Sequence, residues 1–256
     1  MLTTKKSELI KVFKKAGLKT GDTILIHSSI FSLGRLQDGL DTLYYSIRNI
    51  IGPTGNVIVP NFTYSFRRKK IFNVYKSQSC KSIGIFSEFL RKKKNSVRSL
   101  DPLFSMSCIG PDSKKLMKRD SNNCFGKKST FDKIVKKNSL VVGLGISYST
   151  GLPIFMHAEK IAKVFYRQNL KLKGFIIRHD KKKVRGYANH FARCEKKYPN
   201  LTIDRENVGK ILEKKMISKK IRFKYGNIIS FRAKPFINET VKLLKKNPRI
   251  FIKNEK

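Results

Sequence analysis

Histidine is scarce in this sequence, and each of its four copies is a candidate proton carrier: His27, His157, His179 and His190. An imidazole titrates near neutrality, so it can take a proton from an attacking nucleophile and later return it. Only His157 has a carboxylate close by within a helically patterned stretch, Glu159, and that stretch follows the most apolar strand-like run of the chain. His157 is therefore the leading general base. The run His27-Ser28-Ser29 closes another short apolar segment and precedes Gly34. Its hydroxyls and backbone N–H groups suit a phosphate or a pantetheine amide, although a capped turn accounts for the same residues equally well. Gly143-Leu144-Gly145 lacks the third glycine of a dinucleotide loop. No GxSxG nucleophile elbow occurs. Cys80, Cys108, Cys124 and Cys194 form no CxxC pair, and no histidine stands at ligand spacing from them, so free thiols are expected and no metal site.

The elements that must position these groups read as strands alternating with helices. An opening helix over 5–17 carries an apolar stripe of Leu9, Ile10, Val12 and Phe13. Short continuous apolar runs at Thr23-Ile24-Leu25-Ile26, Asn56-Val57-Ile58-Val59-Pro60 and Ser139-Leu140-Val141-Val142-Gly143-Leu144-Gly145 have the character of buried strands. Helices are expected at about 39–51, 83–92, 154–162, 206–217 and 234–246, with a further strand at 105–109. Antiparallel strands are expected around Phe175-Ile177 and Ile221-Phe223. The expected fold class is α/β, a layered sandwich with a central mixed sheet flanked by helices and more antiparallel toward the C-terminus. No repeat or linker divides the sequence, so residues 1–256 are expected to form one domain. Ligands of such sheets bind beyond the carboxyl ends of the strands, which nominates the loops after 26, 60 and 145.

Charge dominates the composition: 57 Lys and Arg face 17 Asp and Glu, a net +40, while 40% of residues are hydrophobic. The cations are spread over expected loops and helices alike, without the stacking aromatics of a strand-binding groove, so no specific nucleic-acid partner is expected. Such a field attracts anionic ligands all the same, the phosphates of CoA or of a nucleotide-linked sugar among them. No apolar run reaches the ~20 residues of a membrane span, and the N-terminus has no signal-like apolar region. A cytoplasmic location is expected; a homodimer stays open.

Several segments, in order, resemble the aminoglycoside 3-N-acetyltransferase family, including its relatives associated with surface polysaccharides. They are Gly21-Asp22 through Gly34, Gly52-Pro53-Thr54-Gly55 through Tyr64, Gly84 to Arg91, and Arg98-Ser99-Leu100-Asp101-Pro102-Leu103-Phe104-Ser105. Phe125-Gly126 with Ser129, Phe131 and Asp132, then Val141 to Gly145, Glu159 and Val164-Phe165-Tyr166-Arg167 continue the series. The resemblance implies an enzyme that takes acetyl-CoA and moves the acetyl group to an amine of an amino sugar. It implies a catalytic His–Glu pair, for which Glu159 and the displaced His157 are the candidates, CoA contacts at His27, Ser28, Ser29, Ser105, Gly126, Ser129 and Phe131, and acceptor contacts at Tyr64 and Asp101. Asp101-Pro102 is similar to the polysaccharide-associated members, where the antibiotic-modifying members tend to carry His-Pro. A polycationic antibiotic would also be repelled by a +40 protein.

One motif departs from the family pattern, which is a Thr, a His three residues on and a Glu three beyond. Counting back from Glu159 puts Met156 at the position of the His and Pro153 at that of the Thr. His157 comes one residue late, and on a regular helix it points roughly 200° away from Glu159. Pro153 offers a place for the segment to unwind. Three outcomes are open: His157 serves after a local shift, the chain binds CoA or an anionic glycan without turnover, or another base such as His27 serves.

Overall fold

The computed structural model describes residues 2–253. In chain order its strands and helices are β1 (Thr3–Thr4), α1 (Lys6–Lys15), β2 (Thr23–Ser28), β3 (Arg35–Leu36), α2 (Leu40–Ile51), β4 (Asn56–Pro60), α3 (Phe66–Lys69), β5 (Ile71–Asn73), α4 (Ile85–Lys92), β6 (Val97–Arg98) and β7 (Met106–Ile109). There follow α5 (Ser113–Met117), α6 (Thr130–Lys136), β8 (Leu140–Leu144), α7 (Ile154–Ala162), β9 (Arg167–Ile177), β10 (Lys183–Arg193), α8 (Glu206–Lys214), β11 (Ser218–Phe223), β12 (Gly226–Arg232) and α9 (Ala233–Lys246).

Seven strands make the central mixed sheet, in the order β11-β12-β8-β2-β4-β7-β6. Its middle strands β8, β2 and β4 run parallel, and both flanks are antiparallel. The three parallel strands are apolar at nearly every position because both faces are covered. Alternation divides their side chains between two cores. Ile24, Ile26, Val57, Val59, Val142 and Leu144 pack with α1, α2 and α4, through residues such as Phe13, Leu43 and Phe86. Leu25, Ile58 and Val141 face the other way, toward Phe131 of α6, Phe155 of α7 and Phe236 of α9. Two residues past Leu25 on the same strand, His27 takes that second side at the carboxyl end.

A smaller sheet, β10-β9-β5, lies apart from the first, with β9 and β10 antiparallel and β5 parallel to β9. The sequence expects the antiparallel character of this half but understates it. β9 extends well before Phe175, and its partner β10 alternates charged with small or aromatic residues rather than presenting an apolar run. Among the described residues no helix is long and apolar enough to cross a membrane.

Candidate active site

The parallel strands end at Ser28, Pro60 and Leu144, and a cleft of about 400 Å³ opens beyond them. Its walls include His27, Ser28, Tyr64, Ser149, Met156 and Arg205. Close backbone packing shapes this end of the sheet. Gly84 (φ +91) and Gly145 (φ +63) adopt left-handed conformations, and a Cβ at either would stand 2.5 Å from Ser28 O or 1.9 Å from Ser32 Oγ. Glycine alone fits both positions. The loop leading to Tyr64 is pinned by Arg98, a buried cation that donates to Asn61 O at 2.8 Å and Thr63 Oγ1 at 2.9 Å. Burial draws its pKa down to about 9.

Helix α7 supplies the wall opposite β2. It starts in ordinary helical geometry at Pro153 (φ −66) and continues without unwinding to Ala162. Two consecutive residues consequently face different surroundings. Met156 is half-buried and lines the cleft. His157 is turned into the protein, where its Nδ1 accepts the Gly126 N–H at 3.1 Å and its ring lies 6.3 Å from that of Phe131. That hydrogen bond fixes the neutral tautomer with the proton on Nε2. Burial lowers its pKa to about 4, against a smaller opposing effect of Asp132.

Glu159 is fully buried and engaged elsewhere. It accepts from Tyr166 Oη at 2.9 Å and from an Arg205 guanidinium nitrogen at 3.2 Å, and Arg167 Nε lies 3.1 Å away as an ion pair. The expected pairing of His157 with Glu159 is therefore not formed: helical geometry sends the imidazole toward Gly126 and the carboxylate toward two arginines. Met156, three residues before Glu159, shares its side of the helix. Arg205 connects the carboxylate to the cleft, where among the described residues it is the one cationic lining residue. Its loop is clasped by Ser149, whose Oγ accepts the Arg205 N–H at 2.7 Å and donates to Asp204 at 2.6 Å.

His27 is the imidazole that does line the cleft. It is 4% exposed, its Nε2 has no hydrogen-bond partner among the described residues, and burial lowers its pKa to about 3. Tyr64 is partly exposed beside it, with its hydroxyl pushed up to about 12 chiefly by burial.

The other expected ligand residues divide. Ser28 reaches the cleft. Ser29 does not line it, and its N–H is spent on Leu144 O at 2.8 Å rather than left free. Ser105 is fully buried, donating to Asn61 O at 2.6 Å and accepting from Arg98 Nε at 3.1 Å, so it braces the strand-end loop. Gly126, Ser129 and Phe131 form the entry to α6: Ser129 Oγ accepts the Asp132 N–H as an N-cap and donates to Gly126 O, while Phe131 stacks on Phe125. Asp101 closes a turn by accepting the N–H groups of Leu103 and Phe104, both at 2.9 Å. None of these five lines the cleft. Arg205 escapes sequence reading, because its partner Glu159 lies 46 positions away and no local pattern marks it.

Residues 25–245 match the family model described as aminoglycoside 3-N-acetyltransferase, and the chain belongs to that family. It is 23% identical over 175 residues to aminoglycoside N(3)-acetyltransferase III of Acinetobacter baumannii, covering 61% of this chain and 60% of that protein. It is 28% identical over 113 residues to aminoglycoside N(3)-acetyltransferase IV of a Salmonella species, 44% and 42% of the two chains. The match thus spans about 60% or less of these two curated relatives. The fold is also that of a binary complex of AAC-IIIb with CoASH (TM-score 0.81, 19% identity, all of both chains) and of sisomicin-bound AAC-VIa (0.83, 18%, 96% and 99%). The YokD protein from Bacillus subtilis shares it as well (0.81, 19%, 100% and 97%).

Proposed function

We propose that the chain, acting as a single domain, is an acetyl-CoA-dependent N-acetyltransferase for an amino sugar, with His27 as its base and its rate limited by Met156. Membership of the family and the fold shared with a CoASH complex support the donor. The observation that carries the catalytic reading is the contents of the cleft: His27 and Met156 line it, and His157 does not. In the reaction the amine lone pair attacks the thioester carbonyl carbon, the amine proton passes to the neutral imidazole, and the C–S bond breaks to release CoA thiolate, which recovers the proton. Arg205 offers a cation for the oxyanion that forms on the carbonyl oxygen. A base with a pKa near 3 is always unprotonated at neutral pH but takes a proton reluctantly, so turnover is slow. A thioether at position 156 takes none. The net +40 charge favours a surface-polysaccharide amino sugar over a polycationic antibiotic as acceptor.

Calorimetric titration with acetyl-CoA, followed by thiol release over a panel of amino sugars, tests this. Binding and slow release are expected, with release falling roughly 10- to 100-fold in His27→Asn. Binding without release would favour the reading as a non-catalytic CoA- or anionic-glycan-binding member, which the weakness of His27 as a base also supports.

A further inference from the structure

Next to the cleft, and sharing Tyr64 with it, lies a groove of about 960 Å³. Its cations are Arg67, Arg68 and Lys69 on α3 together with Lys76 and Lys81, and among the described residues no carboxylate lines it. None of the five forms an ion pair with a carboxylate among the described residues. The nearby Glu88 is held by Arg91 at 2.7 Å and by the Ser79 N–H at 2.7 Å, so it does not neutralise the groove. The remaining lining is largely hydroxyl and amide, from Ser65, Ser77, Gln78 and Ser79. Unpaired cations among small hydrogen-bonding groups in a concavity suit a phosphate or diphosphate, and they repel an ammonium-rich ligand. Lys81 of the groove is followed directly by Ser82 and Ile83 of the cleft, so one ligand can reach from one to the other.

We infer that the acceptor is an amino sugar carried on a phosphate or diphosphate, its amine entering the cleft beside His27 while the phosphate rests on Arg67, Arg68, Lys69, Lys76 and Lys81. This rests on the acetyl-transfer reading and assigns that reaction its substrate class. Negative charge on the acceptor then contributes to binding.

Glucosamine and glucosamine 1-phosphate serve as probes, differing only in the phosphate. The groove predicts that the phosphorylated sugar binds about tenfold or more tightly in titration at roughly 0.15 M ionic strength, and has the lower KM. In Arg68→Glu/Lys76→Glu that preference disappears, with the KM for acetyl-CoA and the turnover of unphosphorylated glucosamine unchanged. Equal binding of the two sugars by the unaltered protein overturns the inference. So does a double variant that raises the KM for acetyl-CoA instead, which would give the groove to the phosphates of CoA. Groove-dependent binding of the phosphorylated sugar without thiol release would leave the groove as the seat of a phosphate-linked amino sugar and contradict acetyl transfer, and with it the sugar's role as acceptor.

Discussion

A buried imidazole is ready to accept a proton at neutral pH but holds it weakly, and His27 sits at that compromise. Its lowered pKa, about 3, comes from desolvation, and among the described residues no carboxylate stabilises the charged ring. The rate should therefore show no inflection from the base between pH 5 and 8, rising with pH only as the acceptor amine loses its proton. A kcat/KM profile with an acid limb centred near 6.5 would instead mean a solvated histidine is doing the work. At this scale the sequence is informative where a polar residue ends an apolar run, since buried parallel strands deliver such residues to one place; His27, Ser28 and Tyr64 are found that way. It is uninformative where a role depends on contacts distant along the chain. Ser105 and Asp101 look like ligands in sequence because they are polar and follow the family pattern, yet their hydrogen bonds fix loops.

Register on one helix decides the fate of the expected catalytic pair. The bounds of α7, Ile154 to Ala162, are legible from apolar spacing after a proline, and so is the separation of positions 157 and 159. Whether Pro153 would unwind the segment is not legible, because that depends on the two sides competing for the helix: Gly126 and Phe131 holding His157, and Tyr166, Arg167 and Arg205 holding Glu159. With both anchored, regular helix wins. The anchoring has an energetic signature. Replacing Glu159 by Gln strands two guanidinium groups around a neutral amide, and a loss of about 3–5 kcal/mol is expected in chemical denaturation. A loss below about 1 kcal/mol would show that Arg167 and Arg205 find other partners at little cost. The strands β10 and β12 escape the sequence reading for a related reason: β10 gains its partner β9 across a turn of charged residues, and its own alternation is obscured by lysine and arginine.

Across the whole molecule, three histidines are buried with lowered pKa values: His27 and His190 at about 3, and His157 at about 4. Unfolded, each would titrate near 6.5, so below that pH the unfolded chain binds protons the folded one refuses. Stability is then fully present above about pH 6.5 and falls as pH drops toward 4, by up to about 1.4 kcal/mol per unit for each histidine. The melting temperature should decline steeply from pH 6.5 to 4.5, and more shallowly in His190→Phe. A flat profile over that range would mean the three rings are hydrated in solution. The order of elements along the chain and the mixed sheet are legible from apolar runs. The excess of cations is legible as a number, but its meaning comes from position. Dispersed over the surface it is a solvated coat, whereas in the groove beside Tyr64 it is concave and unopposed by acid.

Position 156 decides the chemistry of the cleft, where a thioether stands three residues before Glu159. The most direct test is acetyl-CoA-dependent thiol release by Met156→His, measured beside His157→Ala and the unaltered chain. A gain of roughly 100-fold in kcat is predicted for Met156→His, with His157→Ala retaining the turnover of the unaltered protein. No gain from Met156→His, together with loss of turnover in His157→Ala, would contradict it.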